Sequence, residues 1–308
     1  MKLAILLLCH KNAEQINLFL ETLKHPDIEF FIHMDKKADI VDQLIKRPDI
    51  HVLTDNLRVD VKWSGFSMIE ATLNLLKAAY KTTRFDYYWL CSGQDFPLKS
   101  PGQIIEYFSQ HVGRNFISLR PSYNYQNDHH ENHLDKRNVM KYLEFLMDRT
   151  FSKRVLKRLY IEISGGGWNS TYHIFRRKDK FSTLSFYFGP QWIAITDSFT
   201  KWLLSYLSDN PWYEEGYKSS LTPDESFFQT LFMMSPYKET RHDYLHYVDW
   251  TSQDGKVKNS PNTLTMDDYD AMKNSGYLMA RKFDMDVEKK VILKLSADNI
   301  LLEKNVKS

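Results

Sequence analysis

Short apolar runs alternate with helical periodicity through the first third of the chain, and this pattern restricts the fold more than any other feature. Leu3-Ala4-Ile5-Leu6-Leu7-Leu8-Cys9 has no polar break, the mark of a strand buried on both faces. Behind Met1-Lys2 it also resembles a shortened leader. A secretory segment needs a longer apolar stretch and a small-residue cleavage site, whereas His10-Lys11-Asn12 follow here at once. Ala13–Leu23 then repeats Ile16, Phe19, Leu20 and Leu23 at helical spacing. Phe30–His33 reads as a strand ending at Asp35, Ile40–Lys46 as a helix and His51–Thr54 as a strand. Ser67–Tyr80 reads as a helix capped by Ser64 or Ser67. Tyr87–Cys91 is another apolar strand, running into Ser92-Gly93-Gln94-Asp95. Such alternation predicts an α/β fold with a mostly parallel central sheet flanked by helices. Ligands of these sheets sit at the carboxyl ends of the strands, where Cys9-His10, His33-Met34-Asp35 and Ser92–Asp95 all fall. Later come a strand over Gln191–Thr196, a helix over Ser198–Leu207 and a second helix opened by Thr222-Pro223-Asp224-Glu225.

Composition removes several functions. Lys and Arg number 41 against 39 Asp and Glu, a net charge of +2, without the basic excess of a nucleic-acid binder. Two cysteines, Cys9 and Cys91, are too few for a disulfide framework and fit a reducing, cytoplasmic setting. No stretch approaches the roughly 20 apolar residues of a membrane span. The glycine fingerprints of dinucleotide and P-loop sites are absent. The neutral total hides a basic middle: from residue 136 to 180, twelve Lys and Arg face four acids, a net +8. Within it Lys153-Arg154-x-x-Lys157-Arg158, interleaved with Val155, Leu156 and Leu159, is either a solvated helix face or an amphipathic surface for anionic lipid. Ser164-Gly-Gly-Gly167 marks a loop.

Several side chains could carry chemistry. Thr222-Pro223-Asp224-Glu225 looks like a helix start with Thr222 as N-cap and Glu225 at the capping-box position. Glu225 is then a helix cap or a general base. Asp35 and Asp95 end strands and are placed either to bond nearby amides or to hold a ligand. His129, His130 and His133 lack the spacing of a zinc-protease helix, so no metal site is expected. Arg281 and Lys282 are surface charges or a cationic pair for a diphosphate.

Together these segments resemble the core-2/I-branching β-1,6-N-acetylglucosaminyltransferases and the related peptide O-xylosyltransferases. The likeness runs in order through Phe31-Ile32-His33-Met34-Asp35-Lys36-Lys37, Val61-Lys62-Trp63-Ser64-Gly65-Phe66-Ser67 with the Ala71-x-Leu73-x-Leu75-Leu76 helix, and Trp89-Leu90-Cys91-Ser92-Gly93-Gln94-Asp95-Phe96-Pro97-Leu98-Lys99. It continues through Gly189-Pro190-Gln191-Trp192, Thr222-Pro223-Asp224-Glu225-x-Phe227-Phe228, Val248-Asp249-Trp250 and Arg281-Lys282-Phe283-Asp284. The resemblance implies a GT-A-like fold and inverting transfer of a sugar, GlcNAc first and xylose second, from a UDP-sugar to a glycan hydroxyl. It makes Glu225 the catalytic base. It assigns Leu7, His10, Asp35, Trp63, Ser92, Gly93, Asp95, Arg281 and Lys282 to the donor side, and Gln191, Trp192, Asp224 and Trp250 to the acceptor side. It implies no divalent metal and no cofactor.

This chain also departs from the resemblance. Its two cysteines contrast with the many paired ones of the vertebrate enzymes, and the expectation is a member without their N-terminal anchor and stem. Leu264-Thr265-Met266-Asp267-Asp268 stands where they have a second diphosphate-binding arginine, and Ser252 where they have a tyrosine. These departures suit a bacterial member. The expectation is one domain over residues 1–308: a nucleotide-sugar half (1–120), an acceptor half (121–250) and a C-terminal segment (251–308) closing on the diphosphate. It would act in surface polysaccharide or glycoconjugate synthesis in the cytoplasm, with peripheral contact to the inner face of the membrane through residues 136–180. Its partners are the UDP-sugar and a glycan or lipid-linked saccharide, with no nucleic acid. The rival readings are a silent glycan-binding module of the same fold and a two-carboxylate glycoside hydrolase. The second suffers because Asp224 and Glu225 are adjacent and no distant partner stands out.

Overall fold

Leu3–Cys9 is strand β1, and all seven of its residues are buried. It lies inside the sheet, with parallel strands on both of its edges, β2 (Ile28–Met34) on one side and β4 (Tyr87–Ser92) on the other. The computed structural model describes residues 1–120, 136–139, 177–251 and 260–307, together with 141, 152, 155, 156, 158 and 159. Strand β3 (Ile50–Val52) extends the parallel set beyond β2. On the far side, β7 (Ala194–Thr196) runs antiparallel to β4 and to β6 (Asn115–Phe116), and β8 (Arg241–His242) closes the edge. The order is β3-β2-β1-β4-β7-β6-β8. A small second sheet sets β5 (Asp95–Pro97) antiparallel to β10 (Met279–Arg281), which pairs in parallel with β9 (His246–Val248).

Alternation along β1 divides the core in two. Ala4, Leu6 and Leu8 face the cluster under α2 (Ser67–Thr82) and the helix Phe227–Met234. Leu3, Ile5, Leu7 and Cys9 face the cluster under α1 (Ala13–Thr22), α3 (Pro101–Gln110) and the C-terminal helix Lys290–Lys307. An unbroken apolar run is what a strand between two such layers requires, and each buried Leu or Ile contributes about 1.5–3 kcal/mol. No helix among the described residues is long and apolar enough to cross a membrane.

Three local expectations give way. Ile40–Lys46 is not a helix; only Val41–Gln43 form a 3-10 turn. Seven residues repay little of the cost of nucleating a helix, and Ala38, Ile40, Val41 and Ile45 pack singly against the core instead. Helix α2 has Phe66 rather than a serine at its N-cap, without a side-chain cap. Ser64 is in the left-handed region (φ 68°), and the Ser67 hydroxyl accepts from the Lys62 amide at 2.8 Å. Thr222-Pro223-Asp224-Glu225 does not open an α-helix with a capping box. Thr222 is left-handed (φ 52°, ψ 53°) and caps nothing, Pro223–Glu225 is a 3-10 turn, and the helix begins at Phe227. The Thr222 and Ser64 hydroxyls meet at 2.8 Å, and the Thr222 amide donates to the Ser64 carbonyl at 3.0 Å. Two non-glycine residues thus hold unfavourable backbone against each other, each at about 1–3 kcal/mol, which docks the Glu225 turn on the Trp63 loop.

Candidate functional site

The carboxyl ends of β1, β2 and β4 are tied together by backbone: the Asp35 amide donates to the Cys9 carbonyl at 2.8 Å and the Gly93 amide to the Leu8 carbonyl at 2.9 Å. A methyl group on Gly93 would lie 3.1 Å from Cys9 Sγ, so glycine permits this approach. Both cysteines are free thiols buried here, and burial, ahead of Asp95, pushes the thiols of Cys9 and Cys91 up. Asp35 is nearly buried, and its Oδ1 accepts from the Lys37 amide at 2.9 Å. Its neighbour His33 accepts from the Val59 amide through Nε2 at 2.8 Å. Burial pulls that imidazole down to about 4, so it stays neutral. Leu7 lies inside β1 with its side chain in the core, whereas His10, just past the strand, reaches the surface.

Asp95 stands at the other edge of this cluster, completely buried. Its Oδ2 accepts from the Ser92 amide at 2.8 Å and lies 3.3 Å from His246 Nε2; its Oδ1 lies 3.7 Å from Arg281 Nε. The pairing follows from sheet register, since Arg281 opposes Asp95 between β10 and β5. The Arg281 guanidinium also lies 4.0 Å over the Trp192 ring, a cation–π contact. His246 was not foreseen from sequence. Burial, outweighing Asp95, pulls its imidazole down. Beyond these ion pairs, His246 Nδ1 and Arg281 Nη1 are enclosed without a hydrogen-bond partner among the described residues. This is a buried polar cluster set within the apolar core. Cys91 Sγ, an Asp95 oxygen and a His246 nitrogen lie within 4.8 Å of one another, a donor set that zinc would accept. Arg281 already brings a cation to Asp95.

At the mouth, Lys282 donates to the Ser260 hydroxyl at 2.8 Å, and Lys11 pairs with Asp284. Burial, then Arg281 and Lys11, lowers the Lys282 ammonium. Three cations therefore share this edge, with Asp284 paired to Lys11 and Asp95 to Arg281. Trp63 and Trp250 are large, exposed aromatics, 49% and 54% accessible.

Glu225 caps no helix. Its Oε2 accepts from Arg120 Nη2 and from Arg137 Nη1, each at 2.9 Å, and neither arginine was singled out from sequence. The preceding Asp224 has its Oδ1 enclosed without a partner. Burial, then Glu225, pushes that carboxyl up to about 7. The Gly189 amide donates to the Glu225 carbonyl at 2.8 Å, and a side chain at 189 would meet the Ser118 carbonyl at 2.0 Å. Three residues further on, Trp192 lies under Arg281. The Gly189-Pro190-Gln191-Trp192 segment thus links the Glu225 turn to the Asp95 pocket, at most about 11 Å along the chain. Gln191 lies partly exposed on this link. The basic segment survives only in part: Val155, Leu156 and Leu159 are 45%, 51% and 52% exposed, while Lys153, Arg154, Lys157, the histidine cluster at 129–133, the Ser164–Gly167 loop and Ser252 lie outside the described residues.

A model of the Core-2/I-branching enzyme family matches residues 3–273, and the chain belongs to this family of glycosyltransferases. Among curated relatives, xylosyltransferase oxt of Drosophila pseudoobscura pseudoobscura is 23% identical over 320 residues, covering 96% of this chain and 33% of its own. Rat xylosyltransferase 1 is 22% identical over 324 residues, covering 96% and 35%, and the human protein 22% over 319 residues, covering 94% and 30%. The chain spans about a third of the length of these relatives. Among solved structures, apo mouse xyloside xylosyltransferase 1 has a TM-score of 0.39 at 12% identity, covering 91% of this chain and 97% of that one. S. aureus TarS has a TM-score of 0.29 at 11% identity, covering 48% and 32%. The α/β, GT-A-like class expected from the resemblance is the class observed, a mostly parallel sheet with helices on both faces.

Proposed function

We propose that this Core-2/I-branching family member transfers a sugar from a UDP-sugar to a hydroxyl of a saccharide acceptor, with inversion. Glu225 removes the hydroxyl proton as the oxygen attacks the anomeric carbon. The observation that carries the reading is the placement of Glu225: it caps no helix, yet two arginines hold one of its oxygens. Oε1, which neither arginine touches, is left for the acceptor. Asp35, with His10 beside it, suits the uridine end of the donor. The Asp95–Arg281–His246 pocket offers both acceptors and donors of hydrogen bonds to sugar hydroxyls. Lys282, with Lys11 nearby, meets the charge that develops on the departing UDP, so side-chain cations do the work a metal does elsewhere. Trp250 and Gln191 suit the acceptor. GlcNAc, expected from the branching enzymes, now competes on equal terms with xylose, because the relatives are xylosyltransferases.

The test is Glu225→Gln assayed with UDP-xylose and UDP-GlcNAc, with and without EDTA. Loss of transfer by about 100-fold or more with UDP affinity intact supports the base. Near-normal transfer removes it, an EDTA-sensitive reaction removes the metal-free mechanism, and UDP neither bound nor released leaves the silent glycan-binding module. We also propose cytoplasmic action with peripheral membrane contact through residues 136–180, motivated by the exposed Val155, Leu156 and Leu159. Flotation with anionic vesicles but not neutral ones is expected; equal behaviour on both returns the segment to solvent.

A further inference from the structure

Glu225 has one more cation than it needs. One guanidinium, with its planar fork of donors, is enough to orient a carboxylate. Here Arg120 and Arg137 converge on the same oxygen, so the three groups sum to +1. Neither arginine is drawn in by Glu225 alone. The Arg120 amide donates to the Phe188 carbonyl at 2.6 Å, and the Arg137 carbonyl accepts from the Leu221 amide at 2.8 Å. The backbone therefore sets both positions. Their side chains remain 40% and 27% accessible, unlike the enclosed Arg281 on Asp95. Each guanidinium carries five N–H donors, and among the described residues each gives one to Glu225.

Among the described residues, the acid next to Glu225 in sequence is Asp224. It is pushed up to about 7 and compensates only in part at neutral pH.

We infer that the acceptor saccharide carries an anionic group, a carboxylate or a phosphate, beside the hydroxyl that Glu225 serves, and that Arg120 and Arg137 receive it. The inference rests on Glu225 being the base, and it adds the chemical class of the acceptor. A carboxylate bound there brings the charge of these three groups to zero, a phosphate monoester takes it slightly negative, and either seats the hydroxyl against Oε1, so recognition and base positioning share the same two side chains.

Binding of matched sugars to the full chain tests this, with and without UDP: glucuronate against glucose for the carboxylate, glucose 1-phosphate against methyl glucoside for the phosphate. The anionic member of at least one pair is expected to bind about tenfold tighter or more, the effect of one charge-assisted contact. The pair showing the preference identifies the anion. Arg120→Gln and Arg137→Gln should each abolish it with UDP affinity unchanged, while Arg120→Lys keeps part of it. Two variants guard against one failing to fold. Equal binding within both pairs, or a preference that survives both Gln variants, overturns the inference. Failure of UDP binding or of the Glu225→Gln result would strike the proposed reaction instead, because the sugar arms are read without turnover.

Discussion

Two carboxylates in this molecule meet arginine in opposite surroundings. Asp95 is sealed: its partners Arg281 and His246 come from adjacent strands of the small sheet, and several of their polar atoms have no partner. Glu225 is open: its arginines come from a strand exit and from the short helix Lys136–Val139, and all three side chains keep solvent contact. The same pair of groups therefore behaves differently. In a buried site, loss of one partner strands the other charge in a medium of low polarity; at a half-exposed site, water replaces it. The Asp95 cluster is closed to solvent, whereas the Glu225 cluster keeps all three side chains in contact with it.

The sharpest way to break this contrast is Asp95→Ala. It removes the counter-charge of Arg281 and the acceptor of the Ser92 amide, and should lower unfolding stability by about 3–5 kcal/mol in urea titration. A loss below about 1 kcal/mol would show that the pocket admits water. A smaller and pH-dependent effect tests the open site from its buried flank. The Asp224 carboxyl is raised in the folded state from 3.8 to about 7, so between those values the folded chain binds more protons than the unfolded one. Stability from this group is then full below about pH 4, declines up to about pH 7 and is level above. Asp224→Asn should flatten that slope in unfolding measured from pH 4 to 8. An unchanged slope would mean that Asp224 is hydrated in solution.

Much of this could be read in the chain before any coordinates. The apolar runs 3–9 and 87–91 are buried strands because no surface environment accommodates them, and the helical spacing of Ile16, Phe19 and Leu20 faces the core as expected. The ordered motifs brought Asp35, Asp95, Glu225, Arg281 and Lys282 to attention. The Glu225 turn was misread because a Thr-Pro-Asp-Glu string satisfies the local rules for a helix start, whereas contact with Ser64, 158 positions away, holds Thr222 left-handed. His246 left only a faint trace, a histidine two residues before the Val248-Asp249-Trp250 motif; its inward position came with the strand His246–Val248. Arg120 and Arg137 left none: Arg137 lies in the basic stretch, Arg120 stands alone after a short strand, and both look like surface charge.

By itself, then, the sequence determined the main strands of the parallel sheet, the helices α1 and α2 and the chemical types gathered at the strand ends, but not the short strands of the second sheet, since periodicity and burial are properties of neighbouring residues. Only the tertiary structure decided what faces what. Arg120 and Arg137 reach Glu225 across 105 and 88 residues, and Arg281 reaches Asp95 through the register of a separate sheet. Charge partners at such separations are chosen by packing, which no local spacing encodes.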